Sequence, residues 1–394
     1  MTATEADAAV VERHDATALT ISLYVHVPFC VVKCGYCDFN SFAVADADEH
    51  DRFLDALDRE LSLVGVPRSV HTVFVGGGTP TYLDSTRFTR LWEILRRHVD
   101  LDRCREVTVE CNPESLTPEK ARIAFGAGVR RASVGAQTFN AERLRFLDRA
   151  HDASGIARAV EALRSADFTN VSLDLIFALP GQTLSEWEDD LQAALRLEPD
   201  HLSCYSLTYE TGTRLGRELA RGQVQPVPED VDREMFLRTR EILTNRGFVA
   251  YEISNFAGRG GPSLHNDHYW LQGDYLGVGP GAASHLAGWR GTNLKPIDTW
   301  VGSVARGLIP TGEAETLDPR RRVGEALWLG LRRSEGVDLA AVETRLAYPV
   351  LSRVSEEIGW LVECGLLEHT GDIVRLTSKG LLVADAIASR FLVV

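Results

Sequence analysis

The sequence predicts an α/β fold made of a partial (β/α)6 barrel, a β-rich extension and a small winged-helix-like C-terminal domain. From residue 20 onward, six short β-rich runs alternate with longer amphipathic runs at about 30 to 40 residues per unit, the rhythm of parallel strands joined by helices. The residues best suited to ligand chemistry fall at the C-terminal ends of those runs, where α/β barrels keep their sites. From Asp318 the texture changes to helix-like segments and a short β pair. Six units fall short of an eight-stranded barrel. The expected divisions are therefore a disordered tail over 1–19, a partial barrel over 20–247, the extension over 248–317 and the last domain over 318–394.

A chain of 394 residues with 44% hydrophobic content can bury a large core. Its formal net charge of −14 is spread along the chain, which favours solubility and argues against a general nucleic-acid surface. The first residues carry Glu5, Asp7, Glu12 and Asp15, with no basic start and no apolar run of signal length, and read as a frayed tail. No stretch approaches the ~18 apolar residues of a membrane span, so the expected location is cytoplasmic. Cys104, Cys111, Cys204 and Cys364 are scattered singly and read as reduced, mostly buried thiols.

The first β-like run, Ile21 to Val27, leads into YVHVPFCVVKCGYCDFNSF, Tyr24 to Phe42, which sets Cys30, Cys34 and Cys37 in a C-x3-C-x2-C array. Three thiolates are one short of the set a 4Fe-4S cluster normally takes, which leaves one iron open to a non-protein ligand. A zinc site is the competing reading, but it needs four ligands and usually a second Cys or His pair further on. His26 is close, yet on a strand it alternates with its neighbours instead of converging on the loop. A disulfide fits less well, because three clustered cysteines cannot all pair and nothing marks the chain for export.

The clearest helix starts near Glu49, with Phe53, Leu54, Leu57, Leu61 and Val64 on one face. The second β-like run, Val70 to Val75, ends in Gly76-Gly77-Gly78-Thr79-Pro80, where the missing Cβ atoms let backbone approach a ligand; a bare turn is the alternative. The third run, Glu106 to Cys111, ends in Glu110-Cys111-Asn112-Pro113, and the fourth, Arg131 to Ala136, runs into Gln137-Thr138-Phe139. A carboxylate and an amide at a barrel mouth suit ribose hydroxyls and adenine edges, or else cap strand ends. Arg149 follows, then Asp174 in the fifth run, Val171 to Leu179, with Thr183 the expected N-cap of the next helix. The sixth run is His201 to Leu207.

Taken in order, YVHVPFCxxKCxYCDF, GGGTPTYL, VECNPESLT, GVRRASVGAQTF, SLDLIFALPGQT and HLSCYSLTYETGT resemble the oxygen-independent coproporphyrinogen oxidase family of the radical S-adenosylmethionine (SAM) enzymes. In particular they resemble its HemW branch, described as haem chaperones. The resemblance runs from about Leu23 to the C-terminus. It implies a radical SAM partial barrel, a 4Fe-4S cluster held by Cys30, Cys34 and Cys37, and a SAM site built from Tyr24, Tyr36, Gly77, Gly78, Thr79, Glu110, Gln137, Arg149 and Asp174. Arg130 departs from the family, which usually has Asn there, and would add a second cation near the SAM mouth. The oxidase pattern resembles C-x3-C-x2-C-x-C, whereas this chain has Cys37-Asp38-Phe39. Only 23 residues precede Tyr24, too few for the N-terminal extension that helps close the oxidase's site. Both features point to the chaperone branch.

In the extension, His265-Asn266-x-x-Tyr269-Trp270 resembles the HNxxYW motif of that branch. An imidazole beside aromatic rings suits haem (heme), which makes His265 the candidate haem ligand; a buried, hydrogen-bonded histidine is the equal alternative. Ala283 stands where the family commonly has His, with His285 two residues away as the next candidate.

Pro319 and Arg320 to Arg322 start a helix through Leu331, and helices near Leu339 to Leu346 and Leu351 to Cys364 precede a β pair, Leu366 to His369 and Ile373 to Leu376. Thr377-Ser378-Lys379-Gly380 opens a last helix. Such winged-helix-like domains often bind DNA, but ten Lys or Arg against eleven Asp or Glu from 318 to 394 leave no electrostatic footprint for it. The domain is expected to close the barrel or meet a protein partner.

The resemblance therefore implies a protein that binds haem and hands it to an acceptor protein, with the cluster and SAM tuning binding or transfer. It also implies an electron donor and peripheral contact with a membrane-bound acceptor. The competing reading is an enzyme, a radical SAM oxidoreductase acting on a porphyrinogen, in which the cofactor supplies the hard step and the barrel supplies orientation. A tRNA-modifying enzyme would need a basic or aromatic RNA surface that the sequence lacks.

Overall fold

Each of the six β-rich runs forms a strand in the computed structural model, which describes residues 21–393; the tail expected over 1–19 lies outside them. The strands are β1 (Ser22–Val27), β2 (Thr72–Gly77), β3 (Glu106–Cys111), β4 (Arg131–Gln137), β5 (Asn170–Phe177) and β6 (His201–Ser206). They pair parallel in sequence order, joined by helices such as Ala47–Val64, Ser85–His98 and Leu184–Arg196. Thr183 caps the last of these in a full capping box with Glu186, which satisfies two otherwise orphaned backbone donors.

Alternation along each strand divides the sheet into two faces. Val25, Val27, Val73, Val75, Val109, Val134 and Leu173 are buried in one core cluster with Phe53, Leu57, Phe88, Leu91 and Trp187 of the surrounding helices. The other face is polar. Across it Tyr24 pairs with Phe74, Glu110 with Ser133, Gly135 with Asp174 and Asp174 with Ser203. A parallel sheet covered by helices on both faces would show unbroken apolar runs, so this polar face already marks an interior reserved for a ligand.

The extension adds strands at both edges of the same sheet. β7 (Val249–Ala250) and β8 (Asn255–Ala257) continue it antiparallel from β6. β9 (Tyr275–Val278) pairs parallel with β1, and β10 (Ala283–Leu286), β11 (Trp289–Asn293) and β12 (Thr311–Thr316) follow it. The resulting twelve-stranded sheet ends at β12 and at β7, so it stays open.

Two buried carboxylates fasten the extension to the barrel. Glu106 accepts the backbone N–H of Leu264 and of His265, at 3.2 and 3.1 Å, at the start of helix Leu264–Trp270, where unpaired N–H groups favour an anion. Glu60, fully buried on helix Ala47–Val64, accepts from the Gly279 N–H at 2.7 Å, the Asn293 amide at 2.6 Å and the Trp300 indole at 3.1 Å.

The C-terminal residues carry a core of their own, from Val323 through Val354 and Ile358 to Phe391. Their small sheet has three strands where the sequence pattern shows two, because β13 (Val337–Asp338) joins β14 (Leu367–Thr370) and β15 (Ile373–Leu376) in the order β13-β15-β14. Two residues are too few to register as a strand period. Arg333 pairs with Asp267 at 2.7 Å and the Arg332 guanidinium lies 5.1 Å from the Trp270 ring centre, which ties this domain to helix Leu264–Trp270. Among the described residues no helix is long and apolar enough to cross a membrane.

Burial pushes the Glu60 carboxyl up to about 7 from an ordinary 4.5, against the pull of its three donors. Between those values the folded state keeps a proton that the unfolded chain has released. The stability Glu60 contributes is thus complete below about pH 4.5 and is lost as pH rises through about 7. Thermal melts at about pH 5 and about pH 8 should differ less for Glu60→Gln than for the unsubstituted protein. Glu60→Ala, which orphans three buried donors, should lose about 3 kcal/mol or more in denaturant titrations.

Candidate functional site

The site begins where β1 and β2 end side by side. The Gly78 N–H donates to the Val27 carbonyl and the Thr79 N–H to the Phe29 carbonyl, both at 2.7 Å, so the glycine turn is stitched to the entry of the cysteine loop. No side chain fits there. A Cβ on Gly76 would lie 2.5 Å from the Glu110 Oε2 and one on Gly78 would lie 2.7 Å from the Phe29 carbonyl oxygen. Gly77 adopts φ +103°, which L side chains avoid, and donates its N–H to Glu110 Oε2 at 2.9 Å.

One cavity, of about 730 Å³ including its open mouth, gathers Cys30, Cys34, Tyr36 and Cys37 from the loop after β1 with Gly77, Gly78 and Thr79 from the turn after β2. Glu110, Gln137, Arg149 and Asp174 complete it from the next three strands and the segment after β4. Burial first, and the nearby Asp174 carboxylate second, push the Glu110 carboxyl up to about 7, while the Gly77 N–H pulls it down. Burial likewise raises Asp174, against hydrogen bonds donated by Ser203 and Ser133. Gln137 sits at φ +64°, left-handed for a non-glycine residue. Backbone strain of that kind concentrates at ligand sites.

The donor set suits a cubane cluster. All three thiols are free, and two already receive a hydrogen-bond donor at 3.5 Å, Cys34 from Arg149 Nη1 and Cys30 from the Thr79 hydroxyl. Among the described residues no group of three or more His, Cys, Asp or Glu converges on a single ion. A cubane does not ask for that, because each thiolate takes a different iron.

Two of the sequence-predicted residues lie elsewhere. Tyr24 is set back from the cavity and shares a 2.9 Å hydrogen bond with His26 Nδ1. His26 Nε2 in turn reaches the Asn40 carbonyl at 2.9 Å, at the far end of the cysteine loop. His265 is 1% exposed, with Nδ1 2.7 Å from the Thr72 hydroxyl and Nε2 2.8 Å from the Tyr269 hydroxyl. Burial lowers its pKa to about 3, so the ring is neutral. Neither ring nitrogen is free for an iron atom in this arrangement, so of the two readings of His265 the structure shows the buried, hydrogen-bonded one. Arg130 turns its guanidinium to the Phe125 and Val129 carbonyls, away from the cavity, so the extra cation does not crowd its mouth.

Asn112, Ser133 and Gly135 line the cavity without having been singled out in the sequence. Strand parity could have found two of them: Ser133 lies directly across from Glu110, and Gly135 from Asp174.

A model of the radical SAM superfamily matches residues 24–194, and one of the HemN C-terminal domain matches residues 317–383. The chain is 33% identical over 379 residues to a Bacillus subtilis protein named "Heme chaperone HemW", covering 94% of this chain and 99% of that one. It is 36% identical over 378 residues to a protein of the same name from Mycobacterium tuberculosis, covering 94% of each. The chain belongs to the HemW family of radical SAM proteins. Membership in that superfamily implies a 4Fe-4S cluster and SAM. The solved coproporphyrinogen III oxidase HemN from Escherichia coli superimposes with a TM-score of 0.84 over 98% of this chain and 93% of that one. At 24% identity this likeness shows the fold alone.

Replacing Cys30, Cys34 and Cys37 together with Ala should abolish the brown absorbance of anaerobically reconstituted protein. Replacing Cys104, Cys111, Cys204 and Cys364 should leave it. Full zinc occupancy without iron would contradict the cluster assignment. His265→Ala should cost about 2 kcal/mol or more through its two lost buried hydrogen bonds, with iron content unchanged. A variant with an unaltered melting temperature would count against that structural role.

Proposed function

We propose that this protein is a cytoplasmic haem chaperone, which binds haem and passes it to an acceptor protein while carrying a 4Fe-4S cluster and SAM. The similarity to proteins named heme chaperone HemW, at 33 and 36% identity along nearly their whole lengths, carries this reading. Phe39 adds to it. This residue stands 61% exposed beside the cavity, at the position where the oxidase pattern has a further cysteine.

Cys30, Cys34 and Cys37 would hold three irons. Gly77, Gly78, Thr79, Glu110, Gln137, Arg149 and Asp174 would hold SAM, with Tyr36 packed beside the cluster and Tyr24 bracing the strand from behind. Bound together there, cluster and SAM would supply one-electron chemistry, with an electron donor as its source. The residues themselves contribute placement: Glu110 is aimed by the Gly77 N–H, Asp174 by the Ser133 hydroxyl, and Arg149 by the Gly135 carbonyl at 2.8 Å. Both His265 ring nitrogens are engaged, so the haem ligand would be another group, and the acceptor, if membrane-bound, would be met from the periphery.

A radical SAM oxidoreductase acting on a porphyrinogen is the second reading, favoured by the polar residues that the cavity gathers beside the cysteine loop. One reconstituted sample separates the two. With SAM, strong reductant and coproporphyrinogen III, the expected product is nil above background, while haem titration gives a saturable Soret change and transfer to an apo-haemoprotein. Robust turnover would favour the enzyme. Phe39→Cys alone should not create activity, since a substrate pocket needs more than one residue.

A further inference from the structure

We propose that Asn112 is a positioning residue for the cluster thiolates, the middle link of a hydrogen-bond chain that delivers one hydrogen to Cys34 and another to Cys30. The proposal rests on the cluster reading above. Arg149 Nη1 lies 3.5 Å from Cys34 Sγ and its Nη2 lies 2.7 Å from Asn112 Oδ1. Asn112 Nδ2 lies 2.8 Å from Thr79 Oγ1, which lies 3.5 Å from Cys30 Sγ. Thr79 is 1% exposed, so bulk water does not compete at that link.

Chemistry fixes the direction of the chain. A guanidinium only donates, so the amide must turn its oxygen to Arg149 and its nitrogen to Thr79. Having accepted from that nitrogen, the Thr79 hydroxyl has one hydrogen left to give, and the Cys30 sulfur receives it. At the other end, Arg149 Nη2 is held by both Asn112 and the Gly135 carbonyl, which aims Nη1 at Cys34. The fold leaves a slot for this amide: a Cβ on Gly135 would lie 2.8 Å from Asn112 Oδ1. Linked hydrogen bonds polarise one another. Hydrogen bonds to cluster sulfurs help to set the reduction potential, and donors favour the more negative, reduced state. Asn112 therefore touches neither sulfur but orders the donors to two of the three.

Aspartate has the same shape and no hydrogen to give. In Asn112→Asp the Thr79 hydroxyl would donate to the new carboxylate and desert Cys30. The test is a redox titration of the anaerobically reconstituted full chain, followed by EPR of the reduced cluster without SAM, with iron content and melting temperature in parallel. Asn112→Asp and Asn112→Ala should each move the midpoint to more negative potential. The expected size is about tenfold in the reduced-to-oxidised ratio at fixed potential, or ~59 mV for a one-electron couple. Thr79→Val should move it the same way, and combining it with Asn112→Ala should give less than the sum, because both changes break one chain. Where Asn112→Ala fails to fold, Thr79→Ser against Thr79→Val keeps the test, since only Ser retains the hydroxyl and the midpoint. An unchanged midpoint at full iron content, or strictly additive shifts, would overturn the proposal. Absence of iron from the unsubstituted protein would instead overturn the cluster reading, and this proposal with it.

Discussion

The parallel register of β1, β2 and β3 is the constraint on which the rest depends. It sets Val27 level with Gly77 and brings Glu110 near enough to accept the Gly77 N–H at 2.9 Å. Two backbone hydrogen bonds at 2.7 Å then lock the glycine turn to the first residues of the cysteine loop. Because the side-chain period of a strand is two, a slip of one residue would swap the polar and apolar faces together. Glu110 would point at the helices while Val109 faced the cavity. The site and the core are thus specified by the same pairing.

How far this was legible differs from residue to residue. β3 was readable to its ends, and β15 as well, because alternation and flanking turn residues are local signals. Most cavity residues from Cys30 to Asp174 were legible through motif order, since the motifs lie at or near strand ends, whereas Asn112, Ser133 and Gly135 were not singled out. β9 could not be read as a partner of β1, for some 250 residues separate them and four residues carry little period. His265 stayed open between two readings for a related reason. Tyr269 and Trp270 suggest an aromatic cleft, yet the groups that enclose the histidine, Thr72 and Glu106, come from strands far back in the chain.

Glu106 and Glu60 answer the same physical problem in different places. Each carboxylate accepts N–H groups from the extension that would otherwise be buried without partners. Glu106 meets the N–H groups that begin a helix, where the backbone itself favours negative charge. Glu60 has no helix end to lean on and instead gathers a backbone, an amide and an indole donor. Burial without a matching cation accounts for its raised pKa.

The polar sheet face carries a cost that the apolar one offsets. Glu110 and Asp174 lie close enough for each charge to oppose the other, and both are drawn away from water. Their hydrogen-bond partners, Gly77, Ser133 and Ser203, are small, so they satisfy the carboxylates without filling the cavity. Larger partners would pack better and leave no room for a ligand. Stability has to come from elsewhere, and the alternate residues of the same strands supply it, with Val25, Val75, Val109 and Leu173 fully or almost fully buried beneath the helices. One strand period therefore serves both ends: every second residue holds the barrel together, which frees its neighbours to remain polar, small and unfilled around the cysteine loop.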